Sequence, residues 1–292
     1  MKIRAALASL LLMCVTSCRP HSSSIVIGSK NFTEQAILGE LLAQHIEHRT
    51  GSPVERRFYL AGTYICQQSL VAGRIDMYVE YTGTALTAVL KEKTSGDSSG
   101  VYAQVKQEYA DKFGLNVMPP LGFNNSFAMV IRTEDAKRLG IHNLSEAARY
   151  APQWRLGVGY EFMERPDGYT GLAKTYGLRF AAPPRTMDLG LLYRALEAKE
   201  VDMIAASATD GLIAALNLTV LEDDRHYFPP YEAVPIVRSE TLARYPTVKA
   251  ALGELAGKIS EQDMREMNYK VDGQHQDIQA VAAEFLRKKG LD

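Results

Sequence analysis

Residues 70–77 read LVAGRIDM, and residues 196–203 read LEAKEVDM. Each stretch has the pattern of a helix end that passes directly into a buried strand. The likeness is too weak, and the distance between the two stretches too long, for an array of stacked repeats. The echo therefore predicts two similar lobes, each with one copy of this helix–strand unit.

The residues around the first stretch alternate between strand and helix patterns. Strands are predicted at 24–28, 54–60 and 75–80, and helices from Asn31 to Gly51 and over 63–72. Asn31 is expected to be the N-cap of the first helix, with Glu34 returning the bond as in a capping box. The glycine at position 51 predicts the end of that helix. The alternation favours a parallel, doubly wound sheet with helices on both faces.

Both helix–strand units run into a loop at the carboxyl end of the strand, which is where open α/β sheets bind ligands. By the echo, residues 81–84 (YTGT) correspond to residues 207–210 (SATD). If the two lobes face each other, these loops line opposite walls of one cleft.

The second lobe has the pattern of an insertion in the first. Strand-like segments at 123–131 and 233–237 flank it, and two strands that cross out and back predict two hinge crossovers. We predict a first lobe of residues 25–128 and 229–292 and an inserted second lobe of residues 129–228. The amphipathic helix near the end of the chain is expected to return to the first lobe with Ile278, Val281, Ala282, Phe285 and Leu286.

The start of the chain has the features of an export signal. After a short basic start, residues 5–15 are apolar, a run too short for a bilayer core, which takes about 20 residues. The run ends in VTSC, which resembles the bacterial lipobox, in which the cysteine is acylated. We predict a signal peptide at 1–17 and a tether at 18–24 with lipidated Cys18, anchored on the periplasmic or cell-surface side of a membrane. The alternative is an ordinary secretory signal with an incidental cysteine.

Composition limits the class of protein. The formal net charge of −1 gives no electrostatic case for nucleic acid or for general membrane binding. The apolar fraction of 46% and the charged fraction of 23% are ordinary for a globular protein. Once Cys14 leaves with the signal and Cys18 carries lipid, Cys66 stands alone, so no disulfide framework is expected. The core must hold the fold.

Six short motifs together resemble one family. They are residues 27–35 (IGSKNFTEQ), 80–84 (EYTGT), 122–125 (GFNN), 165–168 (RPDG), 209–211 (TDG) and 229–231 (PPY). In this order they resemble the substrate-binding proteins of glycine betaine, choline and carnitine ABC importers, over residues 25–291. The resemblance implies a two-lobed periplasmic-binding fold of type II that closes on its ligand and delivers it to permease subunits in the membrane. It also implies a role in osmoprotection.

The family holds a trimethylammonium group in a cage of aromatic rings, each worth about 0.5–2 kcal/mol. Matched motif by motif, the cage positions here are Tyr81, Phe127, Ser207 and Tyr231. Phe127 lacks the hydroxyl of a tyrosine, and Ser207 lacks the ring. The resemblance therefore implies a quaternary-ammonium ligand that is held less tightly than is usual for the family.

The polar end of such a ligand needs other partners, for which Gln35 and Thr84 are the candidates. A neutral Thr84 tolerates a ligand carboxylate, so zwitterions are expected to bind as well as cations. Asn31 is more simply a helix cap than a ligand contact. Asp210 either binds the ligand or braces its own loop, and Tyr169 borders the cleft.

No pattern indicates catalysis, a cofactor or a metal. His45 and His48 lie three residues apart, but no further histidine or cysteine follows to complete a coordination sphere, so a helix surface is the simpler interpretation. Nucleophile-elbow, phosphate-loop and dinucleotide-binding motifs are missing from the sequence. Cys66 is expected to be buried filler, and residues 165–168 a simple turn.

Two other functions stay open at this point. The same fold could bind an amino acid or another small cation, because Ser207 leaves the cage incomplete. A lipid-anchored hydrolase that uses Asp210 or Glu34 is the alternative from a different class. The expected partners are a small quaternary-ammonium ligand, permease subunits and the lipid anchor, with the protein itself as a monomer.

Overall fold

The computed structural model describes residues 24–93 and 97–292. Its strands form two five-stranded sheets. The strands are β1 (Ile25–Lys30), β2 (Val54–Ala61), β3 (Met77–Tyr81), β4 (Leu115–Val117), β5 (Phe127–Arg132), β6 (Leu156–Val158), β7 (Arg185–Thr186), β8 (Met203–Ser207), β9 (Leu218–Leu221) and β10 (Ala233–Arg238). The predicted signal peptide and Cys18 lie outside the described residues.

Helices surround both sheets. They are α1 (Thr33–Thr50), α2 (Thr63–Val71), α3 (Thr82–Thr84), α4 (Ser98–Phe113), α5 (Thr133–Leu139), α6 (Leu144–Ala147), α7 (Tyr160–Glu164), α8 (Tyr169–Tyr176), α9 (Leu189–Glu197), α10 (Gly211–Ala215), α11 (Ser239–Arg244), α12 (Pro246–Glu254), α13 (Glu261–Asp272) and α14 (Ile278–Lys289). A π-helical segment, Ala85–Leu90, follows α3, and a 3-10 turn, Ala151–Gln153, precedes β6.

The two sheets have the same plan. The first has the order β2-β1-β3-β10-β4, and the second has the order β7-β6-β8-β5-β9. In each, the first three strands are parallel, and the last two pairings are antiparallel. We call the two bodies around these sheets the first lobe and the second lobe.

The two-lobed α/β fold with parallel-rich sheets is confirmed, and each sheet also has antiparallel pairings. The antiparallel strands β5 and β10 are the ones that enter a lobe directly from the other lobe. They arrive without a helical crossover, and a parallel neighbour would need one. Strand β5 begins at Phe127, two residues before the predicted start of the second lobe at 129, and pairs only with strands of the second sheet.

The sequence echo corresponds to a structural one. Asp76 accepts a hydrogen bond from the backbone N–H of Val26 at 2.8 Å, and Asp202 accepts one from Arg155 N–H at 2.9 Å. In each lobe the aspartate of the echoed stretch therefore secures the start of the neighbouring parallel strand. This contact explains why an aspartate stands at the same place in both units.

The two crossing segments run side by side. Asn124 and Glu232 form an isolated antiparallel bridge, and the side chain of Asn124 accepts a hydrogen bond from Tyr231 N–H. Farther along, Ala208 N–H donates to the carbonyl of Ser126 at 2.9 Å. The first two contacts join the outgoing and returning segments, and the third joins the outgoing segment to the loop after β8.

Helix α1 shows one correct prediction and one wrong one. It ends as predicted, because Gly51 adopts the left-handed conformation with φ 67° and its N–H bonds to Glu47. The capping box is wrong: the N-cap is Phe32, and it makes no side-chain cap bond. Asn31 is exposed, and the Glu34 carboxylate turns into the interior, where other donors hold it. Helix α14 packs on α1 with the predicted apolar face.

Candidate ligand-binding site between the lobes

A cavity of about 340 Å³ lies between the two sheets. Most of the residues predicted to form the site line it together: Asn31, Tyr81, Thr84, Phe127, Ser207, Asp210 and Tyr231. They come from the carboxyl ends of β1, β3 and β8, from the start of β5 and from the returning segment before β10. The shared fold plan therefore brings residues far apart in sequence to one space.

Three rings form an aromatic wall. Tyr81 and Tyr231 are buried and Phe127 is half-buried. The rings of Phe127 and Tyr231 meet edge to face, with centroids 5.9 Å apart and planes at 81°. Phe162 from the second lobe adds a further ring, 4.8 Å from Phe127. The wall has the geometry that attracts a cation to ring faces.

Arg165 reaches this wall from the second lobe. Its guanidinium carbon lies 4.9 Å from the centroid of Phe127 and 5.9 Å from that of Tyr231. Nε donates to Asp167 Oδ1 at 2.9 Å, Nη2 donates to Asp167 Oδ2, and Nη1 donates to Thr84 Oγ1 at 3.0 Å. The last of these bonds joins the two lobes.

The Arg165–Asp167 pair stays charged although both side chains are buried. Burial acts to lower the pKa of Arg165, but the bonds from Asp167 outweigh it and the pKa is raised. Burial likewise acts to raise the pKa of Asp167, and the bonds from Arg165 and Tyr231 leave it lowered. The Tyr231 hydroxyl donates to Asp167 Oδ2. The pair thus places a guanidinium beside the rings, with its charge balanced by the Asp167 carboxylate.

A second cation lies at the end of β1. Lys30 is buried, pairs with Glu80, and has Nζ 4.8 Å from the centroid of the Tyr81 ring. Lys30, Arg165 and the Thr84 hydroxyl thus bring hydrogen-bond donors to the cavity, and Glu80 and Asp167 balance the charges of the two cations. The carboxyl-bearing residues Glu161, Asp188 and Asp210 line the same cavity.

Ser207 and Asp210 both line the cavity. Ser207 pairs in register with Phe127 across the antiparallel strands β8 and β5. Asp210 caps α10, accepting from Leu212 N–H at 3.0 Å, and also lines the cavity. Burial raises the pKa of its carboxyl to about 6. Asp210 therefore braces its loop and faces the ligand space at the same time.

Two predicted site residues lie elsewhere. Gln35 is 1% exposed in the first turn of α1 and does not line the cavity, because the helix starts at Thr33 and turns this side chain into the lobe. Tyr169 begins α8 and packs its ring 6.3 Å from that of Phe180, away from the cavity wall.

Sequence reasoning missed Lys30 and Arg165. Both lie in motifs that were recognised, but Arg165 was interpreted only as part of a turn. The turn is real, because Arg165 is the C-cap of α7 and Gly168 is the N-cap of α8. The signal that could have identified the two cations was chemical: a zwitterionic ligand needs positive charge for its carboxylate, and the motifs carry two basic residues.

The histidines and the free cysteine have structural places. His45 is buried rather than on the helix surface, with Nδ1 2.8 Å from the carbonyl oxygen of Leu291 and Nε2 3.0 Å from that of Ala251. His48 is exposed. Cys66 is buried as predicted, and burial raises its thiol pKa to about 12. Within residues 24–93 and 97–292, no group of three or more His, Cys, Asp or Glu is placed to hold a metal.

Among the helices that the structure describes, none is long and apolar enough to cross a membrane.

Two lobes joined by paired crossing segments, with a cavity of rings and charges between them, define a two-lobed solute-binding protein. The sequence profile of the family described as "Substrate binding domain of ABC-type glycine betaine transport system" matches residues 23–288. The chain belongs to this family, and the family resemblance drawn from the six motifs is confirmed.

Individual relatives agree with the family. The carnitine transport binding protein OpuCC of Listeria monocytogenes is 34% identical over 267 residues, covering 91% of this chain and 86% of the relative. The ergothioneine transport permease/ergothioneine binding protein EgtU of Helicobacter pylori is 33% identical and covers 91% of this chain, which spans 48% of that protein. A crystal structure described as a glycine betaine/carnitine/choline ABC transporter superposes with a TM-score of 0.75 at 34% identity, covering 92% and 99% of the two chains.

Proposed function

We propose that this protein captures zwitterionic quaternary-ammonium solutes of the glycine betaine and carnitine type and delivers them to the permease subunits of an ABC importer for osmoprotection. One observation carries the proposal: the same cavity has aromatic faces and two buried cations. The rings of Tyr81, Phe127 and Tyr231 suit a trimethylammonium group, which cannot donate hydrogen bonds. Lys30 and Arg165, which lie over these rings and are paired with Glu80 and Asp167, supply N–H donors for the carboxylate of the ligand.

The polar side of the cavity favours a zwitterion over a simple cation. Thr84 accepts a hydrogen bond from Arg165, so its own hydroxyl proton is available for a ligand oxygen. A carboxylate placed there also joins the two lobes, because Thr84 comes from the first lobe and Arg165 from the second. Choline lacks this carboxylate and should close the lobes less firmly.

Calorimetric titration with three matched compounds tests the proposal. Glycine betaine has both charges, choline lacks the carboxylate, and 3,3-dimethylbutyrate replaces the trimethylammonium with a neutral tert-butyl group. We expect glycine betaine to bind at least about tenfold more tightly than either. Equal affinity for 3,3-dimethylbutyrate would show that the rings do not recognise charge.

A paired variant tests the cationic end. Arg165→Gln alone leaves Asp167 buried and unpaired, which is strongly destabilising in its own right. Arg165→Gln combined with Asp167→Asn removes both charges and keeps polar contacts. This double variant should weaken glycine betaine more than choline. An equal loss for both compounds would count against carboxylate recognition by Arg165.

A bulkier betaine is the second candidate ligand. Serine at 207 leaves room where the family has a ring, and one relative is named for ergothioneine, a betaine with a heterocyclic arm. Asp210 on that side is an acceptor for a donor-bearing arm. Ergothioneine binding more tightly than glycine betaine and carnitine would favour this candidate.

Export and anchoring complete the proposal. The signal-like start and the lipobox-like VTSC support an extracytoplasmic protein tethered through lipidated Cys18. The division into lobes at 25–128, 129–228 and 229–292 stays a prediction, as does the monomeric state. The binding role makes no use of catalysis, and the site has no assigned nucleophile.

A further inference from the structure

The Glu34 carboxylate lies just behind the cavity and is 3% exposed. Its Oε1 accepts hydrogen bonds from the Tyr81 hydroxyl at 2.6 Å and from Asn125 Nδ2 at 2.7 Å. Its Oε2 accepts from the Thr209 hydroxyl and from Asn268 Nδ2 at 2.9 Å. Each oxygen therefore has two neutral donors. Four of the six recognised motifs supply Glu34 and three of these donors, although the ligand cavity does not include Glu34.

The four bonds counteract the burial of Glu34. Burial raises the pKa of its carboxyl above the ordinary value, and the hydrogen bonds from Thr209, Tyr81, Asn268 and Asn125 offset only part of that rise. An ionised carboxylate only accepts, so it can satisfy all four donors at once. Loss of any one donor leaves a buried, charged oxygen with fewer partners, which is costly in a dry interior.

The donors come from different bodies. Tyr81 ends β3 in the first lobe, and Asn268 lies in α13, which packs on α1. Asn125 lies in the outgoing crossing segment. Thr209 alone comes from the second lobe, in the loop after β8, and Asn268 Nδ2 also donates to its carbonyl at 2.9 Å.

We propose that Glu34 is a positioning residue that couples ligand binding to closure, by fixing the Tyr81 ring in the first lobe and accepting the Thr209 hydroxyl of the second lobe only when the lobes are closed. The proposal rests on the proposed function. Tyr81 lines the ligand cavity, and Thr209 lies between Ser207 and Asp210, which also line it. The Glu34 carboxylate thus hydrogen-bonds to Tyr81, which lines the cavity from the first lobe, and to Thr209, whose loop lines it from the second lobe.

Separation of the lobes removes Thr209 from Glu34 and admits water to the carboxylate. The Thr209–Glu34 bond therefore stabilises the closed state and leaves the folding of each lobe unchanged. A hydrogen bond to a charged group is among the stronger ones in proteins, so its loss should weaken a ligand that needs closure at least about tenfold. Unfolding of the ligand-free protein should change little.

The test compares Thr209→Val, which keeps the shape without the hydroxyl, with Thr209→Ser, which keeps the hydroxyl. Thr241→Val is the matched control, because the Thr241 hydroxyl donates to the Asp76 carboxylate at 2.6 Å entirely within the first lobe. Glycine betaine is the probe in calorimetry, and thermal unfolding is followed without it. We expect Thr209→Val to bind at least about tenfold more weakly, Thr209→Ser to stay within about twofold of wild type, and Thr241→Val to lose stability without losing affinity.

Three results would overturn the proposal: wild-type affinity in Thr209→Val, equal weakening in Thr209→Ser, or a loss of ligand-free stability in Thr209→Val that matches Thr241→Val. If wild type binds none of glycine betaine, carnitine and choline, the proposed function fails separately. Small-angle scattering of the ligand-free variants then tests whether the Thr209–Glu34 bond favours closure of the lobes. A larger radius of gyration for Thr209→Val than for Thr209→Ser supports it, and equal radii refute it.

Discussion

Restoring the missing cage ring with Ser207→Tyr should strengthen the binding of glycine betaine. Ser207 ends β8 directly opposite Phe127 in β5. Side chains opposite each other in an antiparallel pair lie on the same face, with Cβ atoms about 4.5–5.5 Å apart. A ring at 207 therefore stands beside Phe127, in the cavity that Tyr81 and Tyr231 also line.

The magnitude follows from one added cation–π contact. Such a contact is worth about 0.5–2 kcal/mol, so the affinity for glycine betaine should rise roughly 2- to 30-fold. The new ring also takes space from a cavity of about 340 Å³. A betaine with a large arm that uses this space should therefore lose affinity in the same variant.

Calorimetry at fixed pH and salt is the appropriate assay. Trp154, the only tryptophan, is buried in the second-lobe core and stacks on Tyr150, so its fluorescence reports the fold of that lobe rather than closure. Ser207→Phe separates the ring from its hydroxyl, and Ser207→Ala removes the serine hydroxyl without adding a ring. Thermal unfolding checks that each variant is folded.

We expect the affinity for glycine betaine to rise in Ser207→Tyr and Ser207→Phe and not to rise in Ser207→Ala. Suppose that Ser207→Tyr folds with the unfolding temperature of wild type, yet binds glycine betaine, carnitine and ergothioneine with unchanged affinity. Ser207 then does not face the ligand, and the correspondence between residues 81–84 and 207–210 has no functional meaning.

The remaining predictions concern the cage, a buried carboxyl and the anchor. Tyr81→Ala and Tyr231→Ala should each weaken glycine betaine roughly 5- to 30-fold in calorimetry, and wild-type binding by both would place the ligand elsewhere. Asp210→Asn keeps the α10 cap and removes a carboxyl whose pKa is raised to about 6 by burial, which costs the folded state up to about 3 kcal/mol above that pH. The variant should therefore unfold at a higher temperature than wild type at pH 7.5, with the difference fading as the pH falls from 6 towards 4; a constant difference would contradict this account. Palmitate should label the wild-type protein in cells but not Cys18→Ser, and equal labelling would refute the lipid anchor.

Local sequence patterns predicted much of the fold. Strand–helix alternation and the glycine that ends α1 depend on neighbours close in the chain, and the structure contains both. The echoed aspartates were visible as a repeat, but their partners Val26 and Arg155 were not. The mixed character of the sheets was not predictable in this way. It arises because β5 and β10 pass between lobes, and no local pattern gives the direction in which a distant strand arrives.

Site residues that a motif identifies one at a time were predicted. Site residues whose roles depend on partners far away in the sequence were missed. Asn31 and Glu34 fit a capping box by their spacing alone. The Glu34 carboxylate instead accepts hydrogen bonds from Thr209 and Asn268. These two residues lie far along the chain and become its neighbours only when both lobes are assembled. Arg165 was missed for the same reason, since its ring contacts and its bond to Thr84 join separate lobes.

The hydroxyl groups of the cage explain which departure from the family pattern matters. Tyr81 donates to Glu34 and Tyr231 donates to Asp167, so each of these rings is also fastened to a buried carboxylate. Phe127 has rings around it instead, with Phe162 at 4.8 Å and Phe228 at 5.6 Å, and these apolar neighbours hold it without a hydroxyl. The loss of the hydroxyl at 127 is therefore accommodated by packing. The ring missing at 207 has no replacement within β8, although Tyr193 of α9 lines the same cavity, and position 207 should decide how large a betaine the cavity accepts.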